Sequence, residues 1–483
     1  MYYWIFFFAI NHGFTAEINL SINFEKVAAE VEKEFLSLTI DASYFYYKAL
    51  TNEFKSNILI ALGKGLSAEG DLYLRFGGTR ADFTNVSTND IYYNKEKLKD
   101  LISFAKETEW KLIFGLNVLN RYSDGSWNFY NVTEVLKYMA AMNYEIKFEL
   151  SNEFDNFPVL FNYTLKPPQL AKDFKTLRGI LNDVFKPRYV QLLGPDVGSI
   201  TRLGFFESFL KSIENNVLNA ITFHHYYPRS DNISPVNFTS VDYLDTFLEY
   251  GLKAISIVKK SVGSRFKAPN IWLGETSSTT FGGVKGTGDS FAAGFLWLDK
   301  LGLAAQMGIK VVLRQSFKGG NYSLINQEFK PTPDYWSSLL YKRLVGQIVL
   351  NLTGYLEFGR KVRVYAHCTS VRQGLYKSGS VVLIAINVNS KENATINVTN
   401  KLGSDNQYVD QYLLQPANGN IGDGNITLNG IILQIVNKTK LPFLKPIQTK
   451  LPLIIPPLSY GFFVLIDSNA KACISTQLEN NVA

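Results

Sequence analysis

Eight short runs with strand character recur at intervals of roughly 30–50 residues from position 38 onward. They are LTIDA (38–42), LYLRFGG (72–78), KLIFGLN (111–117), IKFELSNE (146–153), YVQLLGPD (189–196), AITFHHYY (220–227), IWLGETS (271–277) and KVVLRQS (310–316). Between them, stretches such as EKLKDLISFAKE, KDFKTLRGILNDVF and DSFAAGFLWLDKLGLAAQMG repeat apolar residues at three and four, the spacing of one helix face. Strands alternating with helices in this way predict an α/β fold, a (β/α)8 barrel. Every run also ends in polar or charged residues: Asp41, Arg75, Asn117, Asn152 with Glu153, Asp196, His224 with His225, Glu275, and Arg314 with Gln315. In such barrels the chemistry sits at the C-terminal ends of the strands.

After about residue 340 the helical period disappears. Runs such as KVRVYAHC, SVVLIAINV, ITLNGIILQIV and GFFVLID alternate apolar and polar residues between Gly, Asn and Pro turns, which predicts a β-sandwich. EINLSINF (17–24) shows the same alternation before the first barrel strand and is expected to add a strand to that sandwich. The expected organisation is a signal peptide over 1–16, an N-terminal sandwich strand over 17–37, the barrel over 38–338 and the sandwich over 339–483. With 46% hydrophobic residues, the chain can fill both cores.

The opening MYYWIFFFAINHGFTAE is too short to span a bilayer and reads as a secretory segment cut after Ala16. About a dozen N-x-S/T sequons, among them Asn131, Asn162, Asn237, Asn351, Asn393 and Asn397, fit a secreted glycoprotein, extracellular or lysosomal. No later stretch is long and apolar enough for a membrane span. Two cysteines, Cys368 and Cys473, suggest one disulfide within the C-terminal region. Two cysteines and four histidines, two of them the adjacent His224 and His225, offer no metal-ligand spacing. The net charge of +7 is scattered without a basic run, which suits an anionic partner but predicts no nucleic-acid interface.

Two strand ends stand out. Asn152-Glu153 follows the fourth strand and Gly274-Glu275 the seventh, so both carboxylates are expected at one barrel mouth. Glycoside hydrolysis needs such a pair: one acid to protonate the leaving oxygen, one carboxylate to attack or to activate water. Asn152 suits a bond to a sugar hydroxyl beside the reacting carbon. Tyr226 suits a hydrogen bond that keeps the attacking carboxylate charged. Asp41 and Arg75 read equally well as an ion pair or as substrate ligands. The glycine turns RFGGT (75–79) and GGNYS (319–323) bring Thr79, Asn321 and Tyr322 toward the pocket or into loop packing.

The motifs FELSNEF (148–154), GPDVG (194–198), FHHYY (223–227), WLGETSS (272–278), AAGFLWLDKLGLAAQMG (292–308), RQSF (314–317), GNY (320–322) and PDYW (333–336) resemble the heparanase family, glycoside hydrolase family 79. The resemblance runs from LSLTIDA to the last cysteine. It implies a retaining endo-β-glucuronidase with Glu153 as acid/base and Glu275 as nucleophile, no cofactor, and a glycosaminoglycan as substrate. It implies that Asp41, Thr79, Asn152, Tyr226, Gly282, Gln315 and Tyr322 line the sugar subsites, and that Cys368 pairs with Cys473. Burial and a negative neighbour are expected to raise the pKa of the acid. A monomer is expected.

Three departures from the family pattern matter. Phe154 stands where the family has proline after Asn-Glu. DFTNVSTNDIYYNKEK leads almost directly into the next helix, where vertebrate heparanases carry an excised linker, so an active single chain is expected. The places that are basic in heparanase read SITRLG (199–204), with Arg202 alone, and TNVST (84–88), with none; Arg229 is the other candidate for an anionic contact. Leech-type hyaluronidases share the family, so hyaluronan and an exo-acting β-glucuronidase remain alternatives. A non-catalytic glycosaminoglycan-binding protein, as in inactive heparanase relatives, is a further one; retention of both glutamates argues against it.

Overall fold

A computed structural model describes residues 16–474 apart from 47–52, 68–69, 85–93, 231, 267, 354–358, 373, 401–407 and 438. The proposed signal segment up to residue 15 and the short connection at 85–93 therefore lie outside the described residues.

All eight expected runs are barrel strands: Leu36–Asp41, Tyr73–Gly77, Lys111–Leu116, Ile146–Leu150, Leu192–Val197, Ala220–Tyr227, Ile271–Thr279 and Val312–Arg314. They are parallel neighbours in chain order, and the eighth pairs with the first to close the barrel. At the N-terminal end its interior is filled by Tyr73, Ile113, Leu193, Trp272 and Leu313, with the Tyr73 and Trp272 rings 5.5 Å apart. Toward the C-terminal end the inward positions become ionic, and side chains two residues along a strand change from Tyr73 to Arg75. The seventh strand breaks that period. Its pairing with the sixth shifts between Phe223 and His224, skips Gly274 and sets Glu275 opposite His224. A bulge of this kind re-aims the following side chain.

The barrel helices bury one stripe. Pro167–Val184 opens on two prolines, which the first turn tolerates, and buries Leu170, Phe174, Leu177 and Leu181. Ala293–Gln306 and Pro333–Leu344 are buried almost all round, because the barrel lies on one side of them and a second sheet on the other.

That second sheet has nine strands and a three-stranded sheet stacks on it. In its strand Val381–Asn387, Val382, Ile384 and Ile386 join the barrel core, while Val381, Leu383 and Ala385 join the core between the two sheets. Both faces are covered, which explains the unbroken apolar run there. EINLSINF forms two strands where one was expected. Ala16–Leu20 runs parallel to Ala394–Val398 in the small sheet, and Ile22–Glu30 pairs antiparallel with Val345–Leu352 at the edge of the large one. Apolar alternation continues through Ser21 and does not mark the change of sheet. Cys368 and Cys473 are bonded, closing a sequence separation of 105. Among the described residues no helix is long and apolar enough to cross a membrane.

Candidate active site

Glu153 and Glu275 face one another across the C-terminal mouth of the barrel. Oxygens of the two carboxyl groups and a nitrogen of His224 all lie within 4.8 Å of one another. Glu153 follows the fourth strand with a left-handed backbone, φ 51° and ψ 47°, and its N–H donates to Asp196 O at 2.8 Å. The turn is held from the other side by Asp155, which accepts from the N–H groups of Gly198 and Ser199 at 2.8 and 3.0 Å. Phe154 accounts for the absent proline: its ring is fully buried, stacked on Phe205 at 5.6 Å and beside Phe209 at 6.4 Å.

The two carboxyls have different surroundings. Glu275 accepts from Tyr226 OH at 2.5 Å and from Arg75 Nη1 at 2.7 Å, so two donors stabilise its charge. Glu153 accepts from Asn156 Nδ2 at 2.7 Å and shares 3.0 Å with His224 Nδ1, while His224 Nε2 lies 3.2 Å from Asp196 Oδ1. Burial pulls the His224 imidazolium down, but hydrogen bonds to Asp196 and Glu153 and the surrounding carboxylates push it up to about 10. Burial likewise pushes Glu153 up, yet the bond and charge of His224, with Asn156 and Arg75, hold it below the ordinary glutamate value. This reverses the raised acid expected from burial and a negative neighbour. His224 thus lies within hydrogen-bond distance of both Glu153 and Asp196, with its proton affinity raised by them.

Arg75 is the hub of the pocket floor. It is 1% exposed and donates from Nε to Glu149 Oε2 at 2.6 Å, from Nη1 to Glu275 and from Nη2 to Asn152 Oδ1 at 3.0 Å. Asn152 N donates to Asp82 Oδ1 at 2.7 Å, and its Nδ2 remains to donate to a ligand. No ion pair joins Arg75 to Asp41 among the described residues. Asp41 instead accepts from Ser43 N at 2.7 Å; burial raises its pKa.

Of the other expected residues, Gln315 and Tyr322 adjoin this centre. Gln315 N donates to Thr276 O at 2.7 Å and its side chain accepts from Thr39. The Tyr322 ring lies 6.4 Å from that of Tyr226, and Arg314 holds the Tyr322 carbonyl at 2.9 Å. Gly282 O accepts from Asn321 N at 2.6 Å, which ties the loop after the seventh strand to GGNYS. Thr79 begins a short 3-10 turn, Thr79–Phe83, that carries Asp82 under Asn152. Arg202 stands apart, 3.3 Å from Asp155 and outside the central cluster. Arg229 donates to the carbonyls of Thr280 and Phe281 at 3.0 and 3.4 Å.

Asp196 and His224 were singled out only as polar strand ends, without a role, and Glu149 was not among the expected site residues. For His224 the signal is register: once the barrel is assumed, the position two before Tyr226 is His224; Glu149, three residues before Asn152, is not reached by that alternation. His225, on the opposite face, packs among Tyr227, Phe247 and Tyr250. The donor set of Glu153, His224 and Glu275 matches a metal site in spacing, but its atoms are already hydrogen-bonded to Asn156, Asp196, Tyr226 and Arg75. A cation would have to displace the charge of Arg75 and the His224 proton.

Comparison with known proteins identifies the family and the fold. The family Glycosyl hydrolase family 79, N-terminal domain, matches residues 85–302. Heparanase of Bos taurus is 35% identical over 92% of this chain and 90% of that protein. Inactive heparanase-2 of Homo sapiens is 33% identical over 86% of this chain and 71% of that protein. A GH51 arabinofuranosidase from Xanthomonas axonopodis pv. citri shares the fold, with TM-score 0.66 and 13% identity over 93% of this chain and 99% of that one. By identity, coverage and fold together, the chain belongs to the heparanase family, glycoside hydrolase family 79.

Proposed function

We propose that this protein is a secreted, retaining endo-β-D-glucuronidase that cleaves glucuronosyl bonds within heparan sulfate and acts as a single chain. The observation that carries the reading is the approach of the Glu153 and Glu275 oxygens to within 4.8 Å at one barrel mouth. Retaining glycosidases place their carboxyl groups roughly 5–5.5 Å apart, whereas inverting ones need more room for water. Glu275 attacks the anomeric carbon while Tyr226 and Arg75 hold its oxygens. Glu153 protonates the leaving oxygen. Its proton comes from His224 Nδ1: a bound sugar removes the water that reaches the partly exposed Glu153, desolvation disfavours its charge, and the proton moves across the 3.0 Å contact. In the second step the same pair takes a proton from water, which attacks the glycosyl-enzyme. The disulfide and the sequons support an oxidising, secreted setting.

A second reading, cleavage of unsulfated hyaluronan, is favoured by one observation. Arg202 is paired with Asp155, and Arg229 is bonded to two loop carbonyls. The two cations expected to meet sulfate are already engaged within the protein.

The deciding experiment incubates the secreted protein and its Glu275→Gln variant with heparan sulfate and with hyaluronan at mildly acidic pH, then sizes the fragments. Intermediate oligosaccharides from heparan sulfate support the first reading, and from hyaluronan the second. Release of single sugars supports exo action. An inactive wild type, or a variant as active as wild type, removes the enzyme assignment.

A further inference from the structure

Glu149 has no part in the two-carboxylate reaction, yet it lies in the barrel interior, fully buried, four residues before the acid. Its Oε2 accepts from Arg75 Nε at 2.6 Å. The other two edges of that guanidinium hold Glu275 and Asn152, at 2.7 and 3.0 Å. A guanidinium is planar with a fixed fork of donors, so fixing one edge fixes the direction of the others. Space for it is also prepared, because a Cβ on Gly77 would stand 2.8 Å from Arg75 Cζ.

We propose that Glu149 is a positioning residue: by anchoring the Nε edge of Arg75 it sets the orientation in which Arg75 presents Glu275 and Asn152 to the reacting sugar. The kinetic part of this proposal rests on the glycosidase reading above; the geometric part does not. Arg75, Asp196 and His224 face Glu149 from the second, fifth and sixth strands. Burial pushes Glu149 up to about 8, against the pull of Arg75 and His224 and with the push of Asp196. Glu149 Oε2 fixes the Nε edge, and Arg75 Nη1 is left to Glu275.

Two variants test it. Glu149→Gln keeps an acceptor at the same place; Glu149→Leu fills the volume without one. For Glu149→Leu, kcat should fall about 100-fold, the scale expected of a misplaced reacting group, with KM nearly unchanged. Glu149→Gln should retain most of the activity at pH 5–6. In crystal structures, the Arg75–Glu275 contact should persist in Glu149→Gln and be lost in Glu149→Leu with the barrel otherwise intact. The proposal is overturned if Glu149→Leu keeps the wild-type kcat, if both variants lose activity and thermal stability equally, or if the contact survives in Glu149→Leu. If the wild type cleaves neither polymer, the glycosidase reading has failed and the crystallographic comparison alone decides the role of Glu149.

Discussion

Replacing His224 with glutamine should flatten the pH dependence of folding stability between neutral and alkaline pH. His224 is fully buried between Glu153 and Asp196, and its pKa is held up to about 10 from an ordinary 6.5. Over that window the folded chain binds a proton that the unfolded chain has released. The unfolding free energy therefore falls as pH rises, by about 1.4 kcal/mol per pH unit. The contribution is fully present below pH 6.5 and lost by about pH 10, a total on the order of 5 kcal/mol. Glu149 adds a slope of the same sign between its ordinary value and about 8. It is present in both proteins and is removed to first order by subtraction. Urea unfolding at half-unit steps from pH 6 to 10, followed by tryptophan fluorescence, measures the two curves. Both cysteines are bridged, so no free thiol complicates the alkaline end. Wild type should lose stability more steeply than His224→Gln, in which only the slopes of the other shifted groups remain. Parallel curves above pH 8 would show that His224 is neutral in the folded protein and would remove the proton source from the mechanism.

Three further outcomes are expected. Phe154→Ala removes a buried ring from the Phe205–Phe209 stack and should cost about 3–4 kcal/mol in denaturant unfolding, with the acid turn loosened as a lower kcat. Gly198→Ala places a Cβ 2.8 Å from Glu153 Cδ, so kcat should drop about 100-fold while thermal stability changes little. Replacing Cys368 and Cys473 together by serine opens a 105-residue separation and should lower stability by about 5 kcal/mol on the loop-entropy account; a loss below about 1 kcal/mol in equilibrium unfolding would contradict that account.

The barrel was legible because its period is written twice, as alternation in the strands and as three-four spacing in the helices. The carboxylate pair was legible because strand ends are functional in this architecture. What lay between them was not. Phe148-Glu149-Leu150 reads as a half-buried strand with glutamate toward water, yet all of Ile146–Leu150 is buried. In a closed barrel the oily side faces the helices, and the polar side faces an interior that can hold ions only when they are paired. Adjacent histidines give no sign of which one points inward, and the bulge at Gly274 that brings Glu275 opposite His224 is a fact of pairing. The charge on Glu153 was inverted for the same reason. Its burial was foreseeable, but the imidazolium that outweighs burial was visible only once the strands were side by side.

The passage of Ile22–Glu30 into the large sheet sets a schedule for synthesis. Glu30 lies beside Ile348, about 320 residues downstream, which at ~5–20 residues per second leaves the earlier strand waiting on the order of 15–60 s. The strand Ser459–Leu465, wedged between Val381–Asn387 and Tyr408–Pro416, is later still. Until it leaves the ribosome, Ile22 and Phe24 have no lasting cover, and a holding chaperone is the expected companion of the nascent chain. A ribosome stalled after the barrel should therefore carry a chain with its catalytic half in place and its first strands still unclaimed.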